Sequence, residues 1–180
     1  LDAPDGRFYG NFNTGNQMSF IETCLTQWEM NRSKTLGKLD EIAKLPNPAA
    51  VLGWRPGVGR AHIAWQLLHI GITEELFATE RLIGTVPAFS DLVPRFKGGS
   101  TPDDNIPSVD RIRDVLDASR THLRQTVSAL QESELTVIPP AMKERGLTIG
   151  QILVLLAWHE AHHQGQAHLT LNLWKASQTA

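Results

Sequence analysis

The sequence carries a single cysteine, Cys24, among 180 residues. That excludes an internal disulfide and a cysteine zinc cage, so any metal site has to be assembled from histidines and carboxylates; it also fits a reducing compartment. Long apolar runs are missing too. The longest, Ile152 to Trp158, has seven residues, whereas a membrane helix needs roughly 20, and no membrane partner is expected. A formal net charge of -2, a pI near 6.4 and the lack of a Lys/Arg cluster leave no footprint for a polyanion, so nucleic acid is not an expected partner either. The chain opens Leu1-Asp2-Ala3-Pro4 with no initiator Met and no basic-then-apolar leader; the expected location is the cytoplasm. Internal repeats and low-complexity segments are absent, and no stretch alternates polar and apolar residues long enough to argue for a sheet.

What is present is helical periodicity. With 41% hydrophobic and 20% charged residues, the chain can bury the core of one globular domain. Apolar residues recur at three- and four-residue spacing in four stretches, which predicts an all-α fold. The first helix runs from about Asn16 to Leu45, with Ile21, Leu25, Trp28, Leu39 and Ala43 on one stripe and Pro46 and Pro48 as stops. The second runs from about Arg60 to Gly84, a C-cap candidate, and carries Trp65, His69, Ile72, Leu76 and Ile83. Ser108 is a good N-cap for the third, with Ile112, Leu116, Leu123, Val127 and Leu130. The fourth runs from Thr148 to about Lys175.

Link lengths constrain topology. Thr85 to Pro107 spans 23 residues rich in proline and glycine. A helix of about 25 residues is roughly 37 Å long, and about a dozen extended residues run back along it. This link can therefore be a crossover that sets helices two and three parallel, while the shorter links suit antiparallel neighbours. The prediction is an up-down-down-up four-helix bundle. It forms one domain over residues 16–180, preceded by an arm, residues 1–15, that could pack on the bundle or on a partner subunit.

Residues 159–168 read HEAHHQGQAH, four histidines in ten residues. On a wheel of about 100° per residue with His159 at zero, His163 falls at about 40°, Ile152 and Thr170 at about 20°, and Leu156 and Trp174 at about 60°. His159 and His163 thus continue the apolar stripe. His162 lies on the flank, and His168 lies on the opposite face. On helix two, His69 shares the stripe of Trp65, Ile72 and Leu76. It precedes Gly84 by 15 residues, as His163 follows Thr148 by 15; in antiparallel helices those depths match. An i,i+4 pair spaces its Cβ atoms about 5–6 Å apart, close enough for both rings to reach one ion at ~2.1 Å. The alternative for each is a core histidine bonded to a carbonyl or carboxylate. Three unpaired rings would each cost ~1–3 kcal/mol, and one metal satisfies all three. His62 is a weaker candidate for a fourth ligand.

His159-Glu160-Ala161-His162-His163 also spells H-E-x-x-H, but no Asp or Glu follows Glu160, and Leu169 occupies the metzincin third-ligand position. A zinc protease is therefore disfavoured. Gly57-Val58-Gly59-Arg60 lacks a preceding strand and a third glycine and reads as a turn. Cys24, beside the first stripe, reads as a small core residue.

The His159-x-x-His162-His163-x-Gly165-Gln166 string, with Trp54-Arg55-Pro56 and Trp65-Gln66-Leu67-Leu68-His69-Ile70 before it, resembles the DinB/YfiT-like metal-binding superfamily from about helix one to Trp174. The resemblance implies a four-helix bundle, usually a homodimer. It also implies a divalent metal, often zinc or nickel, with iron or manganese as further candidates, held by one helix-two histidine and an H-x-x-x-H pair on helix four. Those positions are His69, His159 and His163. Family members with known activity look thiol-dependent: bacillithiol S-transferases, mycothiol-dependent maleylpyruvate isomerase, and the iron-binding domain of ergothioneine-forming enzymes. Gln164 stands where Arg is common, so no particular thiol or substrate carries over.

The expected chemistry is an open metal that binds a small thiol as thiolate, or a water for hydrolysis, with a small-molecule thiol and an electrophile as partners. Arg32, in the first stripe, is a candidate for gripping a substrate carboxylate; the alternative is an ion pair with Glu160 or a helix-three acid. Glu160, at the stripe's edge, is a candidate proton acceptor, and Gln166 a candidate for orienting a ligand or water. The competing class is a non-catalytic metal-binding or ligand-binding bundle.

Overall fold

In the computed structural model, residues 18–179 are described, and among them every regular element is helical. The expected arm, residues 1–15, lies outside the described residues. Helix α1 spans Phe20–Ala43. It starts later than the periodicity suggests because Ser19 and Glu22 close a capping box, the Glu22 carboxylate accepting from the Ser19 N–H at 2.8 Å. A short helix α2, Pro48–Gly53, follows; Asn47 caps it and Pro48 fills its first turn. Six residues are too few to show a period, which is why the stripes do not reveal it.

Helix α3, Ile63–Leu76, begins three residues after the predicted start, because the ring of His62 serves as its N-cap. It runs on into a π turn, Phe77–Arg81, and Gly84 then takes the left-handed conformation at φ 70°. The proline-rich crossover holds one short helix, α4, Val93–Phe96. Helix α5, Val109–Ser128, starts at the predicted Ser108 cap. Two 3₁₀ turns, Glu132–Thr136 and Pro140–Arg145, lead to α6, Ile149–Ser177, whose capping box joins Thr148 and Gln151.

Side-chain bonds give the directions of the long helices. Trp28 donates to the Leu153 carbonyl and Asn31 to that of Ala157, in the same order along both helices, so α1 and α6 run parallel. Arg120 donates to Glu74 and Thr126 to the Ala78 carbonyl, so α3 and α5 are parallel too. Arg124 pairs with Glu29 and Arg113 with Asp40, which sets α1 antiparallel to α5. Gly71 lets α3 and α5 approach closely: a Cβ there would stand 3.0 Å from Val115 Cγ1 and 3.3 Å from Ser119 Oγ.

Two apolar clusters fill the interior. One gathers Leu39, Leu67, Leu116 and Leu171, the other Trp28, Phe77, Leu123 and Leu156. Between them lies a layer of buried charge to which each long helix contributes one residue: Arg32, Glu74, Arg120 and Glu160. Arg32 reaches Glu160 at 2.8 Å and Glu74 at 2.7 Å; Arg120 reaches Glu74 at 2.5 Å and also Glu160, closing a ring of alternating sign. Such a ring stabilises little beyond the desolvation it must offset. Its geometry is demanding, so it ties the heights of the four helices to one another.

Candidate metal centre

His159 and His163 stand on the side of α6 that faces α3. Their partner across the gap is His69, placed on α3 by the antiparallel match of His163 with Gln66 and of His159 with His69. The ring centroids of His69, His159 and His163 are 4.5 to 4.9 Å apart. One nitrogen from each ring lies within 4.8 Å of the other two, so the group could hold a metal ion.

Two of the rings are oriented by partners on their other nitrogen. The Nδ1–H of His69 donates to the Phe96 carbonyl at 2.7 Å, and that of His163 donates to Gln66 Oε1 at 2.5 Å. Both tautomers leave the Nε2 lone pair free to face inward. Trp65 stacks on His69 at 4.6 Å and meets His163 edge-on at 6.2 Å, shielding the rings from one side. Burial, then the neighbouring imidazoles, push the His163 pKa down to about 3. Burial and His69 push that of His159 to about 4, and burial lowers that of His69. Neutral imidazoles with converging lone pairs are a donor set suited to a divalent cation of borderline softness.

Other predicted residues go elsewhere. Both ring nitrogens of His62 are in use: Nδ1 accepts from the Trp65 N–H at 3.0 Å, and Nε2 donates to the Asp103 carbonyl at 2.9 Å. It is a helix cap, not a member of the histidine group. Arg32 forms the ion pair with Glu160 that was the alternative to a substrate grip, and its second partner is Glu74 of α3, the predicted second helix, not an acid of α5, the predicted third. Burial opposes the Arg32 charge, but Glu74 and Glu160 outweigh it and hold its pKa above the ordinary arginine value.

Glu160 is buried, not at the edge of a stripe. The buried residues Ile152, Leu153, Leu156, Ala167 and Leu171 centre the inner arc of α6 nearer Glu160 than His159, because α6 packs against α1 as well as α3. His159 and His163 therefore border the core and are partly exposed, while His69 is buried. Gln166 bonds to His162 at 2.8 Å, and His162 stacks on Trp158. His168 is on the surface. Burial, then Glu132, raises the pKa of Cys24, which sits in the apolar core as a thiol.

The wheel missed the residues that orient the rings. Gln66 was visible only as i−3 from His69, and the Phe96 carbonyl comes from the crossover, which has no period to read. Two cavities flank the histidines. One of about 230 Å³ meets His69 and His159 and reaches Arg81 and Arg145; another of about 530 Å³ lies beyond Gln66 and Gln166. A further cavity, of about 570 Å³, backs onto Arg32 and Arg120 and touches no histidine.

Comparison with known proteins places these elements in context. A family model described as the DinB superfamily matches residues 27–167, a span that includes all three histidines and the charged ring. No curated protein matches the chain.

Proposed function

Since the chain belongs to the DinB superfamily, we propose that it is a divalent-metal protein using His69, His159 and His163 as ligands, and an enzyme of the thiol S-transferase type acting on a small molecule. The observation that carries this reading is the convergence of three neutral imidazoles, two of them pinned through Nδ1, beside a cavity. Three protein ligands leave room for an exogenous one, whereas structural zinc sites are closed by four. Zinc or nickel is the proposed ion, which when bound supplies a Lewis acid able to keep a thiol deprotonated at neutral pH.

The chain's own residues do the rest. Phe96 and Gln66 hold the rings in the productive tautomer, and Trp65 keeps water from one side of them. Arg32 and Glu160 are assigned a positioning role: their ring fixes the height of α6 and so brings His159 level with His69. Glu160, engaged by two arginines and Thr35, is poorly placed as a general base, which counts further against the protease reading.

The parallel pairs α1–α6 and α3–α5 support an up-down-down-up four-helix bundle, which we take as a single domain. An exposed apolar row on α6, Val154, Trp158, Leu169 and Leu173, supports a homodimer. No described helix is long and apolar enough to cross a membrane, and a cytoplasmic location is proposed. Elemental analysis of the purified protein, followed by turnover of a dinitrophenyl halide with a panel of small thiols, tests the reading. Stoichiometric metal with no thiol-dependent turnover would assign the chain to the non-catalytic class.

A further inference from the structure

Every arginine of the described residues has a carboxylate oxygen within 4.0 Å except Arg60, Arg81 and Arg145. Arg81 and Arg145 line the same cavity of about 230 Å³, whose other wall holds His69 and His159. They also line the adjoining hollow of about 370 Å³, where Lys97 adds a third cation and Glu80 is the acid present.

Arg81 is partly buried and Arg145 exposed, and each is placed by the end of a turn. Arg81 closes the π turn that ends α3, and its guanidinium lies 4.4 Å from the centre of the Phe77 ring. Arg145 closes the second 3₁₀ turn, directly before Gly146, whose positive φ of 63° turns the chain toward α6. Burial, then the charge of Arg145, lowers the Arg81 pKa. Folding thus brings two like charges to one half-enclosed cavity whose described lining holds no acid; Glu80 faces only the adjoining hollow. The buried arginines among the described residues, Arg32 and Arg120, are neutralised by carboxylates, whereas the partly buried Arg81 has none within 4.0 Å. A cationic pair left open in a cavity is the arrangement expected where an anionic ligand completes the charge balance.

We propose that Arg81 and Arg145 form an oxyanion site that takes the anionic end, carboxylate or phosphate, of a small substrate whose other end reaches the histidines. The second half of this statement rests on the metal-dependent reading above; the anion site itself does not. A guanidinium presents paired N–H donors that match either oxyanion. The cavity volume admits a compact molecule rather than a polymer or peptide.

Two measurements test it. Inorganic phosphate and propionate are titrated separately into zinc-loaded and metal-free protein while the arginine Nε–H resonances are followed. Saturable shifts of the Arg81 signal are expected with at least one anion in both forms. Arg81→Gln or Arg145→Gln should weaken binding at least fivefold, and Arg60→Gln should leave it unchanged. Absence of a saturable shift with both anions, or unaltered binding in both cavity variants, overturns the site; comparing the two anions separates carboxylate from phosphate. On cobalt(II)-loaded protein, 3-mercaptopropionate should bind at least tenfold more tightly than 2-mercaptoethanol, read from the thiolate-to-cobalt absorption. Arg81→Gln should remove that preference without changing the affinity for 2-mercaptoethanol. If no thiol produces the absorption, the thiol reading fails while the anion titration still decides the arginine site.

Discussion

The Nε2 atoms of His69 and His159, ninety positions apart in the chain, stand 3.1 Å from each other. His69 already commits its Nδ1–H to Phe96, so its Nε2 is a lone pair directed at the other ring. A proton on His159 can satisfy that contact, and so can a cation. Only a cation satisfies His163 as well. Substituting His69, His159 or His163 by Ala should therefore each lower bound metal well below one equivalent, measured by elemental analysis after dialysis. His62→Ala should retain the metal, since that ring caps α3.

Gln66 touches no ion yet fixes the His163 tautomer. Gln66→Leu removes the acceptor without changing the size greatly, and metal affinity should fall about 10- to 100-fold, as for other groups that orient a ligand. Competition with a chromophoric chelator measures the change. An unchanged affinity would mean that Trp65 stacking alone holds the rings.

The charged ring makes a prediction about stability. Taking one partner from a buried pair strands the other charge, at a cost of ~3–5 kcal/mol. For a domain of this size that lowers the Tm by roughly 6–20 °C. Glu160→Gln and Arg32→Met should each show such a loss. The double variant Arg32→Met, Glu160→Met should lose less than the sum of the corresponding singles, with a coupling of ~0.5–3 kcal/mol in thermal or urea unfolding. Additive losses would mean that the two side chains act separately.

The histidine group sets a pH dependence in the metal-free protein. His159 and His163 titrate at about 4 and about 3 in the folded chain, against roughly 6.5 when unfolded. Between these values the unfolded state binds more protons, so stability rises with pH and is lost as pH falls below about 6.5. Urea midpoints from about pH 7.5 down to about pH 5 should decline, and the decline should flatten in a His159→Gln, His163→Gln variant. A wild-type midpoint that is level over this range contradicts the assignment.

Trp158 is 58% exposed on the outer row of α6. Trp158→Glu should convert a dimer to monomer in sedimentation velocity, with the histidine group intact. A wild-type protein that sediments as a monomer at every concentration removes the homodimer proposal.

Much of the fold was readable because helices are local. The Ser108 cap and the start of α6 at Thr148 follow from a few adjacent residues, and the matching depth of His69 and His163 follows from counting along two periodic stripes. Short or irregular pieces were not readable: α2 has too few residues for a period, and the π turn at Phe77–Arg81 changes the period itself. The direction in which α6 faces was only partly legible. A wheel drawn on one helix finds an apolar arc, but the packing of α1 and α3 on either side decides its centre, and that moved Glu160 inside and left the histidines at the border. Sequence by itself determined that three imidazoles lie at one level. Tertiary structure decided that Phe96 and Gln66 pin them, that Arg32 pairs with Glu74 and Glu160 in a charged ring, and that Arg81 and Arg145 share their cavity. Those relationships join segments whose separation along the chain carries no periodic signal, so only packing brings them into contact.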